Sequence, residues 1–187
     1  MTKISRHILL FFYLLLLPPS ALAADVLAGL DLHGLAIMRI HSRHIKPIAL
    51  EEAVTILEHD ARFVGLTDFG TVSSQIVFSE NHMVLMKADG VTPDSRGLRL
   101  HSILNLPLSE DEFLAIIAYR RPDGFTVTAA SSNRETWKKN KNKKLTVTFF
   151  DFAKTASVAR FPRRIAIKYG KNDFELKWQN VTLHSIP

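Results

Sequence analysis

Ile165-Ala166-Ile167-Lys168-Tyr169-Gly170-Lys171-Asn172-Asp173-Phe174-Glu175-Leu176-Lys177-Trp178 decides the fold class of this chain. Phe174, Leu176 and Trp178 alternate with Glu175, Lys177 and the following Gln179, which is the period of a strand with one face in a core and one in water. Gly170-Lys171-Asn172-Asp173 supplies the turn that joins this strand antiparallel to Ile165–Tyr169. The same pattern recurs upstream. Leu145, Val147 and Phe149 alternate with Thr146, Thr148 and Phe150, and Phe125 to Ala129 forms a shorter run.

The amino-terminal half reads as strands too. Leu30, Leu32, Gly34, Ala36, Met38 and Ile40 occupy one side of residues 30–40, with Asp31, His33, Arg39 and His41 on the other. Residues 52–58 carry helix-favouring Glu and Ala around a β-branched Val-Thr-Ile centre and are assigned to a strand. Ala61–Leu66 and Val72–Phe78 follow, with Val72, Ile76 and Phe78 expected on one face. Glu80-Asn81-His82 turns into a strand at Met83–Met86.

Between the two sets the spacing lengthens to that of helices. Leu98, Leu100, Ile103 and Leu104 suggest a short first helix, which Pro107 interrupts. Ser109 then caps a second, acidic in its first turn and running to about Tyr119, before Arg121-Pro122-Asp123-Gly124 turns back to strand. Its apolar residues cover more than one face, as in a helix packed inside a curved sheet. The expected architecture is α+β: a single, strongly curved, unclosed antiparallel half-barrel with helices covering its concave side.

The first 23 residues read as a cleavable export signal. Lys3 and Arg6 precede ten apolar residues, Ile8 to Leu17; Pro18-Pro19-Ser20 breaks the run and Ala21-Leu22-Ala23 makes a small-residue cleavage site. A bilayer span needs about 20 apolar residues. Residues 24–187 then form one domain in the periplasm. The chain has no cysteine, so disulfides, thiol metal sites and acylation of an amino-terminal cysteine are excluded.

The net charge of +6 is concentrated in residues 134–144, where six basic side chains meet one acidic one. The run reads as a solvated hairpin tip. The functional alternative is contact with an anionic membrane surface through Lys138, Lys139, Lys141, Lys143 and Lys144, with Trp137 at the interface. No nucleic-acid recognition motif accompanies the charge.

Enzyme signatures are missing: no Gly-x-Ser-x-Gly elbow, no His-Glu-x-x-His, no phosphate-binding glycine loop. His33, His41 and His44 do not share the spacing of a metal site, and nothing fixes the separation of Glu58, Asp60 and Asp68. No catalytic residue, metal or cofactor is expected.

Three motifs in order carry a resemblance. Arg62-Phe63-Val64-Gly65-Leu66-Thr67-Asp68-Phe69-Gly70-Thr71, then Leu104-Asn105-Leu106-Pro107-Leu108, then Phe161-Pro162-Arg163-Arg164-Ile165 with Leu176-Lys177-Trp178 resemble the periplasmic lipoprotein carrier and receptor family LolA/LolB, LolB more closely. The resemblance implies a roughly eleven-stranded half-barrel whose apolar cavity receives the acyl chains of lipoproteins bound for the outer membrane. It also implies a protruding loop with a hydrophobic residue before a glycine, here Phe69 with Leu66 beside it, that helps deliver cargo into the membrane. Two departures stand out: LolB carries an acylated amino-terminal cysteine, and its loop is one residue longer and contains a proline.

The inward register then supplies the cavity lining: Met38, Ile40, Ile76, Phe78, Leu85, Phe113, Ile117, Val147, Phe149, Phe174, Leu176 and Trp178, with Met83 and Met86 as deformable filler. The partners implied are an acylated lipoprotein or other lipid, a donor carrier and the inner leaflet of the outer membrane, with the protein acting as a monomer. The alternative is a non-enzymatic protein-binding or lipoprotein-sensing module on the same fold.

Overall fold

The structure, a computed structural model, describes residues 30–42, 45–57, 60–66, 72–79, 82–87, 104–153 and 160–185. The expected signal segment, most of the expected first helix, His44, Glu58, Asp68 and Phe69 lie outside them.

Ten strands form one antiparallel sheet. In chain order they are β1 (Leu30–Ser42), β2 (Ile45–Ile56), β3 (Asp60–Leu66), β4 (Val72–Ser79), β5 (His82–Lys87), β6 (Phe125–Ala130), β7 (Arg134–Lys139), β8 (Asn142–Ala153), β9 (Phe161–Tyr169) and β10 (Asn172–Ser185). The spatial order is β5-β4-β3-β2-β1-β10-β9-β8-β7-β6. Two meanders of five strands thus join at their chain ends, where β1 pairs with β10, and the sheet stays open with β5 and β6 as its edges.

Between the meanders the described residues include the helix α1 (Glu110–Ile117). Ser109 caps it as its composition requires: the Ser109 hydroxyl accepts from the Glu112 amide at 3.1 Å, and the Glu112 carboxylate accepts from the Ser109 amide at 2.9 Å. The helix ends two residues before the expected Tyr119, which adopts φ +55° to turn the chain back over the sheet. Leu104, the described end of the expected first helix, is buried in the same core.

Phe113 of α1 shows how the sheet sits around the helix. Its ring lies 5.4 Å from that of Phe78 on β4 and 5.1 Å from that of Phe174 on β10. Four strand intervals separate β4 from β10, which in a flat sheet span about 19 Å. Rings within ~11 Å of each other over that interval require the sheet to bend towards the helix.

The strand register explains most of the burial and three departures from expectation. β2 begins at Ile45, seven residues earlier than the Val-Thr-Ile signal placed it, because pairing with β1 starts at Ser42–Ile45 and carries the strand through Pro47. Val72 is exposed instead of sharing a face with Ile76 and Phe78, since a register shift between Gly65 and Leu66 rotates the start of β4. The basic run is not a loop. Arg134–Lys139 is β7, the turn is confined to Asn140 and Lys141, and Trp137 is fully buried, which removes it from any membrane interface.

At the central seam β10 carries one extra residue between Trp178 and Asn180, opposite Leu35 and Ala36. Asn180 bends in so far that a Cβ on Gly34 would stand 2.2 Å from its carbonyl oxygen. The Asn180 side chain holds the bulge by accepting from the Leu35 amide at 2.8 Å. Gly34→Ala must therefore push two central strands apart, at a cost of about 1–3 kcal/mol. The urea midpoint should fall accordingly, and an unchanged midpoint would contradict this account of the seam.

Candidate functional site

The inner face of the sheet and the facing side of α1 form one continuous buried cluster. Of the residues expected to line a cavity, Met38, Ile40, Phe78, Phe113, Ile117, Val147, Phe149, Phe174, Leu176 and Trp178 are buried, and Ile76 is partly buried against them. Leu85 stands opposite Ile76 in the β4–β5 register. The structure brings this set together, but as packed side chains. Phe63, Phe78, Phe113 and Phe174 touch ring to ring in series, and Tyr119, Trp137 and Phe149 make a second aromatic group at 4.3–5.7 Å. Among the described residues, α1 packs Phe113, Leu114, Ile116 and Ile117 into this cluster.

Two polar devices tie α1 and its exit to the second meander. Lys139 on β7 donates to the Glu112 carboxylate at 2.7 Å and to the Pro107 carbonyl at 3.1 Å, so its ammonium is occupied inside the molecule rather than offered to a membrane. Lys138, Lys141, Lys143 and Lys144 remain exposed. At the other end, Glu135 is buried and accepts from the Tyr119 hydroxyl at 3.0 Å and the Trp137 indole at 2.6 Å, with Arg160 at 3.8 Å. Burial and the neighbouring Glu135 charge push the Tyr119 hydroxyl well above its ordinary pKa, keeping it a donor.

A second polar cluster on the inner face was not legible from the sequence. Register places Trp178, Ala36, Glu52, Gly65 and Ser74 side by side on β10, β1, β2, β3 and β4. Glu52 is only 2% exposed. A Cβ on Gly65 would lie 2.7 Å from the Ser74 hydroxyl, 3.0 Å from the Ser73 hydroxyl and 3.5 Å from Glu52 Oε1, so three oxygens overhang the space that the glycine leaves. Among the described residues no donor or cation meets the Glu52 carboxyl, and burial raises its pKa from 4.5 to about 7. The Trp178 indole N–H is buried and has no hydrogen-bond partner among the described residues.

On the outer face the charges satisfy one another. Glu175 takes Arg39 at 3.0 Å and Arg164 at 3.1 Å, and Arg164 also lies 4.5 Å over Phe150. Thr55 meets His33 at 3.3 Å, and His41 stands 3.8 Å from Asp173, so the histidines are spread along β1 against different partners. Leu66, half-buried, ends β3 where residues 67–71 connect to β4. Among the described residues no helix is long and apolar enough to cross a membrane.

No protein-family model and no curated protein matches the chain. Solved structures do. A LolA superfamily protein from Nitrosomonas europaea superposes with a TM-score of 0.52 over 90% of this chain and 93% of its own, at 10% identity. A DUF1329 family protein from Desulfovibrio piger matches at 0.50, over 87% and 92%, with 9% identity. At such identities the likeness establishes the fold: an open, antiparallel sheet of the LolA type.

The raised Glu52 pKa fixes a pH dependence. Below about pH 4.5 the carboxyl is protonated in folded and unfolded chains alike; as pH rises through 7 only the folded state resists ionisation, so stability is lost across that window. Glu52→Gln should therefore be more stable than the parent by about 3 kcal/mol at pH 8 and no more stable at pH 4. Chemical denaturation at the two pH values checks this, and a gain equal at both would show that charge burial is not the cause.

Proposed function

We propose that the protein is a non-enzymatic periplasmic carrier of lipid or lipoprotein acyl chains, exported by its first 23 residues and serving delivery to the outer membrane. The observation that carries the reading is the apolar face of an open sheet bent towards α1, in a fold shared with a LolA superfamily protein. Acyl chains enter by displacing α1. One 16-carbon chain removed from water gains about 12 kcal/mol, and re-exposing Phe113, Leu114, Ile116 and Ile117 of α1 costs about 1.5–3 kcal/mol for each side chain. The two totals are of the same order, so cargo and helix compete for the filling of the sheet, and α1 re-enters when cargo leaves.

Delivery falls to the β3–β4 connection, where Phe69 and Leu66 perturb the receiving bilayer, while Lys138, Lys141, Lys143 and Lys144 hold the anionic surface. The packed interior favours one alternative, a protein-binding or lipoprotein-sensing module whose edge strands β5 and β6 pair with a partner.

Native mass spectrometry with organic extraction, on residues 24–187 purified from the periplasm without detergent, separates the two. The carrier predicts one acylated species per protein. A bare protein that also refuses a fluorescent fatty acyl probe contradicts it and favours the protein-binding module. With cargo in hand, Phe69→Glu should abolish transfer to vesicles and leave cargo binding and folding intact; loss of folding would place Phe69 in the core.

A further inference from the structure

The polar row on the inner face has no role in the packing just described. Buried polar groups are almost always hydrogen-bonded, because an unmet donor or acceptor forfeits its bonds to water with nothing in return. Here the Trp178 indole N–H has no partner among the described residues, and no described donor reaches the Glu52 carboxyl two strands away. Only the methyl of Ala36 stands between them in the row. Gly65 on the far side of Glu52 leaves its space to the Ser74 and Ser73 hydroxyls and Glu52 Oε1. The sheet has thus placed a donor, a hydroxyl and a carboxyl in line across small residues, inside an apolar interior.

The position of the row matters as much as its chemistry. Gly65 and Ser74 are the last regular pair before β3 and β4 run into the connection at residues 67–71. Leu50, two residues beyond Glu52 on the same face of β2, is 40% exposed, and Val72 at the start of β4 is 48% exposed. The row therefore lies where the buried interior gives way to an exposed apolar rim. A chain that fills the interior would leave its head at this end.

We infer that Glu52, Ser74 and Trp178 form a polar subsite for the uncharged linkage at the head of an acyl chain, a hydroxyl or amide that donates to Glu52 and accepts from Trp178. The inference rests on the carrier reading above. A net cationic head is disfavoured, since the single carboxyl is flanked by Ala36, Gly65 and a neutral hydroxyl. At pH 8, the pH of the binding comparison, Glu52 is ionised and a simple ester offers it no donor. Two ligand sources share this chemistry, the hydroxyls of a glyceride and the amide of an N-acylated polypeptide.

Competition against a fluorescent fatty acyl probe at pH 8, using a monoacylglycerol, an N-methyl acylamide and a fatty acid methyl ester of one chain length, tests it on the intact chain. The subsite predicts that the glyceride, the amide or both bind at least about tenfold tighter than the ester, although the glyceride is the more water-soluble. Preference for the glyceride alone assigns a glycerolipid, and tight binding of the amide assigns an N-acylated chain. In Glu52→Leu, and separately in Trp178→Phe, the preference should shrink below about threefold. Three equal affinities in the parent protein overturn the subsite and leave the carrier reading standing. Failure of every acyl probe overturns both. The parent-protein comparison decides the matter even where a variant does not fold.

Discussion

The pairing of β1 with β10 is the constraint on which the rest of the molecule depends. It joins the first described strand to the last, across more than a hundred intervening residues, and it lies in the middle of the sheet rather than at an edge. Each meander alone would expose an apolar face and two open edges. Joined at the seam they present one face wide enough to bend around a helix. The bulge opposite Leu35 and Ala36 and the missing side chain of Gly34 let the two central strands close at the one point where their registers disagree. The same seam sets Trp178 beside Ala36, and so creates the polar row.

The helix is the other half of the account. Its apolar residues touch both meanders, Phe113 reaching β4 and β10 while Tyr119 beyond its end stacks on Trp137 of β7. The capping box, the Lys139–Glu112 pair and the Tyr119–Glu135 bond fasten it to its own segment and to the second meander, and the Phe113–Phe78 ring contact joins it to the first. Apolar contacts are non-directional and exchange readily for those of another apolar body.

Much of this was legible in local pattern. The hairpin from Ile165 to Trp178, the Ser109 cap and the alternation of β1 and β8 appear as the residues require, because period-2 burial and capping depend on near neighbours. Non-local features were not. Lysines around Arg134–Lys144 suggested a loop, yet Glu135 and Trp137 are drawn into the core by Tyr119 and Arg160, which lie far away in sequence. Lys139 read as a surface charge until Glu112 stood beside it. Glu52 read as the polar start of a strand, since only the three-strand register of β1, β2 and β3 puts a carboxylate on the apolar face. The inner-face residues were identifiable one by one from alternation, but whether they enclose a space or touch each other depends on the helix between them.

The most direct test of the central claim, that acyl chains enter between α1 and the inner face, uses the chain's two tryptophans. Trp137 on β7 and Trp178 on β10 are both buried in the same core cluster. A brominated fatty acyl chain quenches indole fluorescence only on close approach. Titration of the protein with such a chain should quench the emission saturably, at about one chain per protein, with an unbrominated chain of equal length reversing the effect. Emission that stays unquenched while the brominated chain is demonstrably bound would place the ligand outside the sheet and contradict the account.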